Sequence, residues 1–156
     1  MDPDQRLALE ELYAVKEWHG RHAAGGRAIA GFSFDGSELS GWTLYRTQRD
    51  EDADPTRLHT LWHRGDPMRE LLSIDVWTCP SVAAAHDQVL EVLANMQTTE
   101  IVRHRGADAL GDVHFGHGVT MALFARANAV VLIRNGGPDV VDIRPFAHAI
   151  DALLAR

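Results

Sequence analysis

The sequence predicts one α+β domain in which an antiparallel sheet of about six or seven strands packs against two or three amphipathic helices. Three observations favour this class. Short β-like runs follow one another through glycine- and proline-containing turns, whereas parallel strands would require a crossover helix after each strand. Apolar residues recur at helical spacing near the start, the middle and the end of the chain. The length of 156 residues fits one domain with its own core over positions 1–156.

The first helix is predicted from its N-terminal signals. Asp2 provides an N-cap acceptor, Pro3 occupies the first helical position, and Gln5 lies three residues after the cap. We expect this helix to run to about Trp18 and to be followed by a flexible, glycine-containing connection, so that positions 1–26 form one N-terminal segment. Its apolar positions are Ala8, Leu9, Leu12, Val15 and Trp18.

The first half of the sheet is predicted from β-like runs between turn residues. These runs lie at 29–34, 42–47, 58–64 and 70–78. In the last run, Leu72, Ile74 and Val76 alternate with Ser73 and Asp75, which is the period-two pattern of a half-buried strand. The acidic stretch 49–56 is expected to be a solvated loop.

The second half begins with the clearest helix of the sequence. It opens at Pro80-Ser81 and carries one apolar stripe, formed by Val82, Ala85, Val89, Leu93 and Met96. After a polar connection, strands are expected at 113–115, 120–125 and 129–134, joined as hairpins. A terminal helix is expected at 145–154.

The second half also resembles a known group of proteins. Leu110-Gly111-Asp112, the run Phe-Ala-Arg-Ala-Asn-Ala-Val-Val at 124–131, the terminal helix and the strand start at Gly41-Trp42 are similar to small bacterial α+β proteins of the Mog1/PsbP-like type. The resemblance covers about the last two thirds of the chain. It implies a binding or accessory module and transfers no catalytic residue.

Composition excludes some classes of partner and favours a location. The net charge of -7 and the absence of a Lys/Arg-rich stretch disfavour nucleic acid, which draws affinity from cationic contacts to phosphate. No apolar stretch reaches the length of a membrane span, so no membrane partner is expected. The single cysteine, Cys79, and the acidic N-terminus favour a cytoplasmic protein.

Histidine is the residue type most out of proportion, with nine copies. His59 and His63 share one face of a predicted strand but lie about 13 Å apart, too far to hold one ion. His114 and His117 flank a predicted hairpin tip, where a third ligand would still be needed. No metal site is therefore favoured, and no cofactor is predicted. A metal-dependent hydrolase built on these four histidines is the alternative function.

The sequence favours a non-enzymatic module that holds a protein partner or a small ligand on a sheet face or edge. No serine-nucleophile, Walker or dinucleotide motif is present. The candidate contact residues are Trp42, Trp62, Trp77, Arg126 and Arg134. Trp77 shares the face of Ser73 and Asp75, opposite the apolar face. A homodimer is also expected, because open antiparallel sheets present edges that pairing satisfies.

Overall fold

The computed structural model describes residues 1–18, 32, 34–37, 39–96 and 100–156. Within them lie three α-helices and a seven-stranded antiparallel sheet, so the predicted α+β class is confirmed. The helices are α1 (Pro3–Leu12), α2 (Val82–Ala94) and α3 (Arg144–Leu154), with a 3-10 turn at Val15–Glu17. The strands are β1 (Thr43–Asp50), β2 (Thr56–His63), β3 (Leu71–Thr78), β4 (Val102–His104), β5 (Val113–His117), β6 (Met121–Arg126) and β7 (Ala129–Asn135).

The sheet joins two sets of hairpin-connected strands through its centre. The strand order is β1-β2-β3-β7-β6-β5-β4, with every neighbouring pair antiparallel. β3 pairs with β7, and Ile74 is the partner of Ile133 in that ladder. Both strands are mostly apolar and flanked on each side by another strand, so most of their side chains are buried.

Helix α3 covers one face of the sheet. Ala147, Ile150 and Leu154 pack there against alternate apolar residues of β2, β3, β6 and β7. Trp42 and Trp62 belong to this core, with 8% and 3% of their surface exposed. Trp62 donates from Nε1 to Thr60 Oγ1 at 2.9 Å, so its polar atom is satisfied inside the core.

Helix α2 covers only part of the opposite face. This helix begins where the sequence predicts it, and Ser81 caps it by accepting from the backbone N–H of Ala84 at 3.1 Å. Ala85, Val89 and Leu93 of α2 pack on β5, β6 and β7. On the same face, the C-terminal half of α2 lines a cleft together with residues of β2, β3 and β7. This cleft positions the site described below.

Helix α1 is shorter than expected. Asp2 accepts from the backbone N–H of Gln5 at 2.9 Å, which confirms the cap, but the helix ends at Leu12 and not at Trp18. Ala14 takes a left-handed conformation with φ of 52°, which turns the chain. Trp18 then enters the core beside Phe115, while Leu12 stays 69% exposed. Burial of the large indole outweighs continuation of the apolar stripe.

Several predicted boundaries also shift. The run at 29–34 lies mostly outside the described residues, and Phe32 and Phe34 are not in a strand. The acidic loop is shorter than expected, because Asp50 ends β1 and Thr56 begins β2. β4 was not predicted, since three residues are too few to show an alternating pattern. Among the described residues, no helix is long and apolar enough to cross a membrane.

Candidate functional site

The part of the sheet beside the C-terminal half of α2 gathers charged side chains from three neighbouring strands. Arg57 and His59 of β2 face the same side as Asp75 and Trp77 of β3, because Arg57 pairs with Trp77 and His59 with Asp75. Arg134 of β7 joins them through its pairing with Ser73. Alternate residues of a strand share a face, so the register alone places these side chains together.

Asp75 lies at the centre of this group and is completely buried. Its Oδ1 accepts from Arg57 Nε at 2.8 Å and from Arg57 Nη2 at 2.6 Å. His59 Nδ1 lies 2.8 Å from the same oxygen and donates to it, since a carboxylate only accepts. One carboxylate oxygen therefore orients both a guanidinium and an imidazole.

The second oxygen of Asp75 differs from the first. Among the described residues Oδ2 is buried without a hydrogen-bond partner, and Arg134 Nη2 lies 3.7 Å from it. That separation allows electrostatic attraction but exceeds hydrogen-bond length. A buried acceptor left unsatisfied costs about 1–3 kcal/mol, so an additional donor at this point would be favourable.

Asp75 lines a cleft of about 260 Å³ between the sheet and the C-terminal half of α2. Arg57, Trp77, Leu132 and Arg134 line its sheet side. The guanidinium of Arg57 lies 5.5 Å from the centre of the Trp77 ring. The helix side is formed by Gln88, Glu91, Val92, Asn95 and Met96. The cleft therefore combines a buried carboxylate, two guanidinium groups and an aromatic wall.

A second cavity, of about 340 Å³, lies on the α3 side of the sheet. His104 stacks on His114 there, with ring centroids 4.5 Å apart, and His148 of α3 also lines the cavity. The backbone N–H of Leu110 donates to His114 Nδ1 at 3.3 Å. A ring nitrogen that accepts carries no proton, so this contact requires neutral His114.

No family model, curated protein or solved structure matches this chain. The resemblance to Mog1/PsbP-like proteins therefore stays a prediction from the sequence.

Burial, with smaller contributions from His104 and His148 and against the effect of Asp151, lowers the pKa of His114 from 6.5 to about 4. As the pH falls, His114 is therefore protonated near pH 6.5 in the unfolded chain but only near pH 4 in the folded protein. We expect the free energy of unfolding to lose about 2 kcal/mol from this group between pH 7 and pH 5. Urea denaturation at a series of pH values measures this loss.

The His114→Asn variant provides the comparison for this pH dependence. An amide oxygen can accept from Leu110 N–H, but the side chain cannot titrate. Between pH 7 and pH 5, the free energy of unfolding of the wild type should fall by about 2 kcal/mol more than that of the variant, because the two proteins share all other titrating groups. Parallel stability curves for the two proteins would contradict the assignment.

The five predicted contact residues do not form one surface. Trp77 and Arg134 lie together in the cleft, while Trp42 and Trp62 are buried on the α3 side. Arg126 donates from Nε and Nη2 to the two carboxylate oxygens of Asp151, at 2.6 and 2.8 Å. This pair connects the β6–β7 hairpin to α3, and its donors are engaged within the protein.

The four histidines of the alternative function are not brought together. His59 contacts Asp75, and His63 Nδ1 lies 2.9 Å from the Gly65 carbonyl oxygen. β2 and β5 are separated by three strands, or about 19 Å at the usual strand spacing. His114 and His117 lie on opposite faces of β5, being three residues apart. Among the residues described, no group of three or more His, Cys, Asp or Glu side chains could hold a metal ion.

Cys79 is buried, as free cysteines commonly are. Burial, with a smaller contribution from the negative charge of Asp54, raises the pKa of its thiol to about 11. The thiol therefore stays protonated near neutral pH and is a poor nucleophile.

Sequence reasoning missed the role of Arg57 and Asp75. A usable signal was present, since Asp is depleted in strands and Asp75 occurs within an otherwise apolar one. Identifying its partner, however, requires the β2–β3 register. That register pairs His59 with Asp75 and places Arg57 two residues further along β2, on the same face.

Proposed function

We propose that the protein is a non-enzymatic binding module that holds a small polar ligand in the cleft around Asp75. The observation that carries the proposal is the buried Oδ2 atom, which has no hydrogen-bond partner in the part of the chain that the structure describes and belongs to a residue lining the cleft. Buried polar atoms are normally paired, so an orphan acceptor in a lined cleft favours a ligand donor there.

Binding is favoured over catalysis by the surroundings of the Asp75–His59 pair. An aspartate that orients a histidine resembles the base of a hydrolase, but such a base also needs a nucleophile within hydrogen-bond reach. In the described part of the chain, no hydroxyl or thiol is hydrogen-bonded to His59. The two arginines of the cleft, Arg57 and Arg134, are suited to binding an anionic group.

Two-dimensional ¹H–¹⁵N NMR with a collection of small polar fragments tests this proposal. We expect binding fragments to shift amides of β3 around Asp75, of β7 around Arg134 and of the C-terminal end of α2. Arg134→Gln should weaken these fragments about tenfold, the loss expected for one charged contact. Arg134 is half-exposed, so the variant is expected to remain folded.

Arg144→Gln is the matched control. It removes the same charge from an exposed arginine at the start of α3, on the opposite side of the sheet. This variant should bind cleft fragments like the wild type. Shifts confined to the α3 side, or no shifts around Asp75 with any fragment, would reject the proposal.

A second candidate role is homodimer formation through the edge strand β1. Within the described residues β1 pairs only with β2, and Leu44 and Tyr45 are 45% and 58% exposed. An edge strand that exposes its backbone and apolar side chains is suited to pairing with a second copy. Light scattering after size-exclusion chromatography tests this role, and a monomer mass at all concentrations would reject it. We also propose a cytoplasmic location.

A further inference from the structure

We infer that the ligand of the Asp75 cleft is a small carboxylic acid with a neutral hydroxyl group beside its carboxylate, an α-hydroxy acid. This inference rests on the proposed binding function and narrows it to one chemical class. It follows from three features of the cleft, which are its charge, the position of the unsatisfied acceptor and the nature of its walls.

Arg134 is the group of the cleft that favours an anion. Arg57 and Arg134 carry two positive charges there, against one negative charge on the buried Asp75 and one on the exposed Glu91. Asp75 binds Arg57 directly, whereas the half-exposed guanidinium of Arg134 lies 3.7 Å from Asp75, beyond hydrogen-bond length. A ligand carboxylate can bind Arg134, because arginine presents a donor fork of matching geometry.

The acceptor requires a donor on the same ligand. Asp75 Oδ2 lies 3.7 Å from Arg134 Nη2. A ligand that places its carboxylate against Arg134 and a hydrogen-bond donor against Oδ2 must therefore carry these two groups on neighbouring atoms. A hydroxyl group supplies this donor without changing the charge balance. A bare carboxylate would leave Oδ2 unsatisfied, and a simple amine would add a positive charge beside two arginines.

The walls favour an apolar substituent. Trp77, Leu132, Val92 and Met96 line the cleft beside the polar group. Trp77 is half-buried and packs against the apolar cluster under α2, so its ring is held in place. An aromatic substituent packed against these side chains would bury apolar surface at low conformational cost.

NMR titration with four related probes tests the inference. The probes are L-3-phenyllactate, D-3-phenyllactate, 3-phenylpropionate, which lacks the hydroxyl, and 2-phenylethanol, which lacks the carboxylate. We expect one phenyllactate enantiomer to shift the cleft amides and to bind at least about tenfold more tightly than either truncated probe. In Arg134→Gln, phenyllactate and 2-phenylethanol should bind with similar affinity, because the carboxylate has lost its partner. Arg144→Gln should keep the wild-type ranking.

The outcomes separate this inference from the proposed function. If 3-phenylpropionate binds the cleft as tightly as phenyllactate, the hydroxyl–Asp75 contact is wrong. If phenyllactate fails to bind while neutral or cationic fragments occupy the cleft, the ligand class is wrong and the binding function stands. If no probe or fragment shifts the cleft amides, both are rejected.

Discussion

Replacing Gly111 by alanine is expected to lower the free energy of unfolding by about 3 kcal/mol or more. Gly111 has a left-handed φ of 56°, which favours glycine. A Cβ at this position would fall on the backbone carbonyl oxygen of Ala125 in β6. The same oxygen accepts from Asp112 N–H at 2.6 Å, so the two segments cannot separate without losing this bond. The shift in urea midpoint, with the slope unchanged, measures the cost.

Gly118→Ala separates the two causes of this cost. Gly118 has nearly the same φ, 54°, but a Cβ there would meet no atom within 4 Å. This variant is therefore expected to lower the free energy of unfolding by about 1 kcal/mol, the cost of the left-handed conformation without the collision. Equal destabilisation in the two variants would contradict the close packing of Gly111 against Ala125.

The strands of the fold were predictable because the sequence signals that mark them lie within or next to each strand. Alternation and turn residues mark β2, β3, β6 and β7 to within about two residues at most ends, and tertiary contacts only adjust those ends. The pairing of β3 with β7 was not predictable. It joins residues such as Ile74 and Ile133, and many apolar strands would satisfy the same pattern.

The candidate site was predictable only in part, for the same reason. Trp77 was predicted as a contact residue because it lies on the less apolar face of β3, which can be read from the sequence of that strand alone. Trp42 and Trp62 look equally suitable in sequence, yet Phe146 of α3 packs against Trp42 and Phe34 packs against Trp62. Arg126 and Arg134 differ only in their neighbours, since Asp151 engages the first while the second reaches the cleft.

Asp75→Ala is expected to lower the free energy of unfolding by about 3 kcal/mol, the usual cost of removing one partner of a buried ion pair. Arg57 Nε, Arg57 Nη2 and His59 Nδ1 all lose their acceptor. Arg57 is 38% exposed, so water recovers part of this loss and keeps the estimate at the lower end of the range. Urea denaturation at pH 7 of Asp75→Ala, Arg57→Ala and the double variant gives the coupling energy.

The double variant distinguishes an ion pair from simple packing. If Asp75 acts mainly by holding Arg57, removing both should cost less than the two single losses combined, with a coupling of about 1–3 kcal/mol. Asp52→Ala, in the exposed loop after β1, should change stability by less than about 0.5 kcal/mol and controls for loss of a negative charge. Additive losses, or an Asp75→Ala variant as stable as the wild type, would mean that the buried carboxylate neither orients Arg57 nor shapes the cleft. The cleft would then have no fixed acceptor with which to select a hydroxyl group.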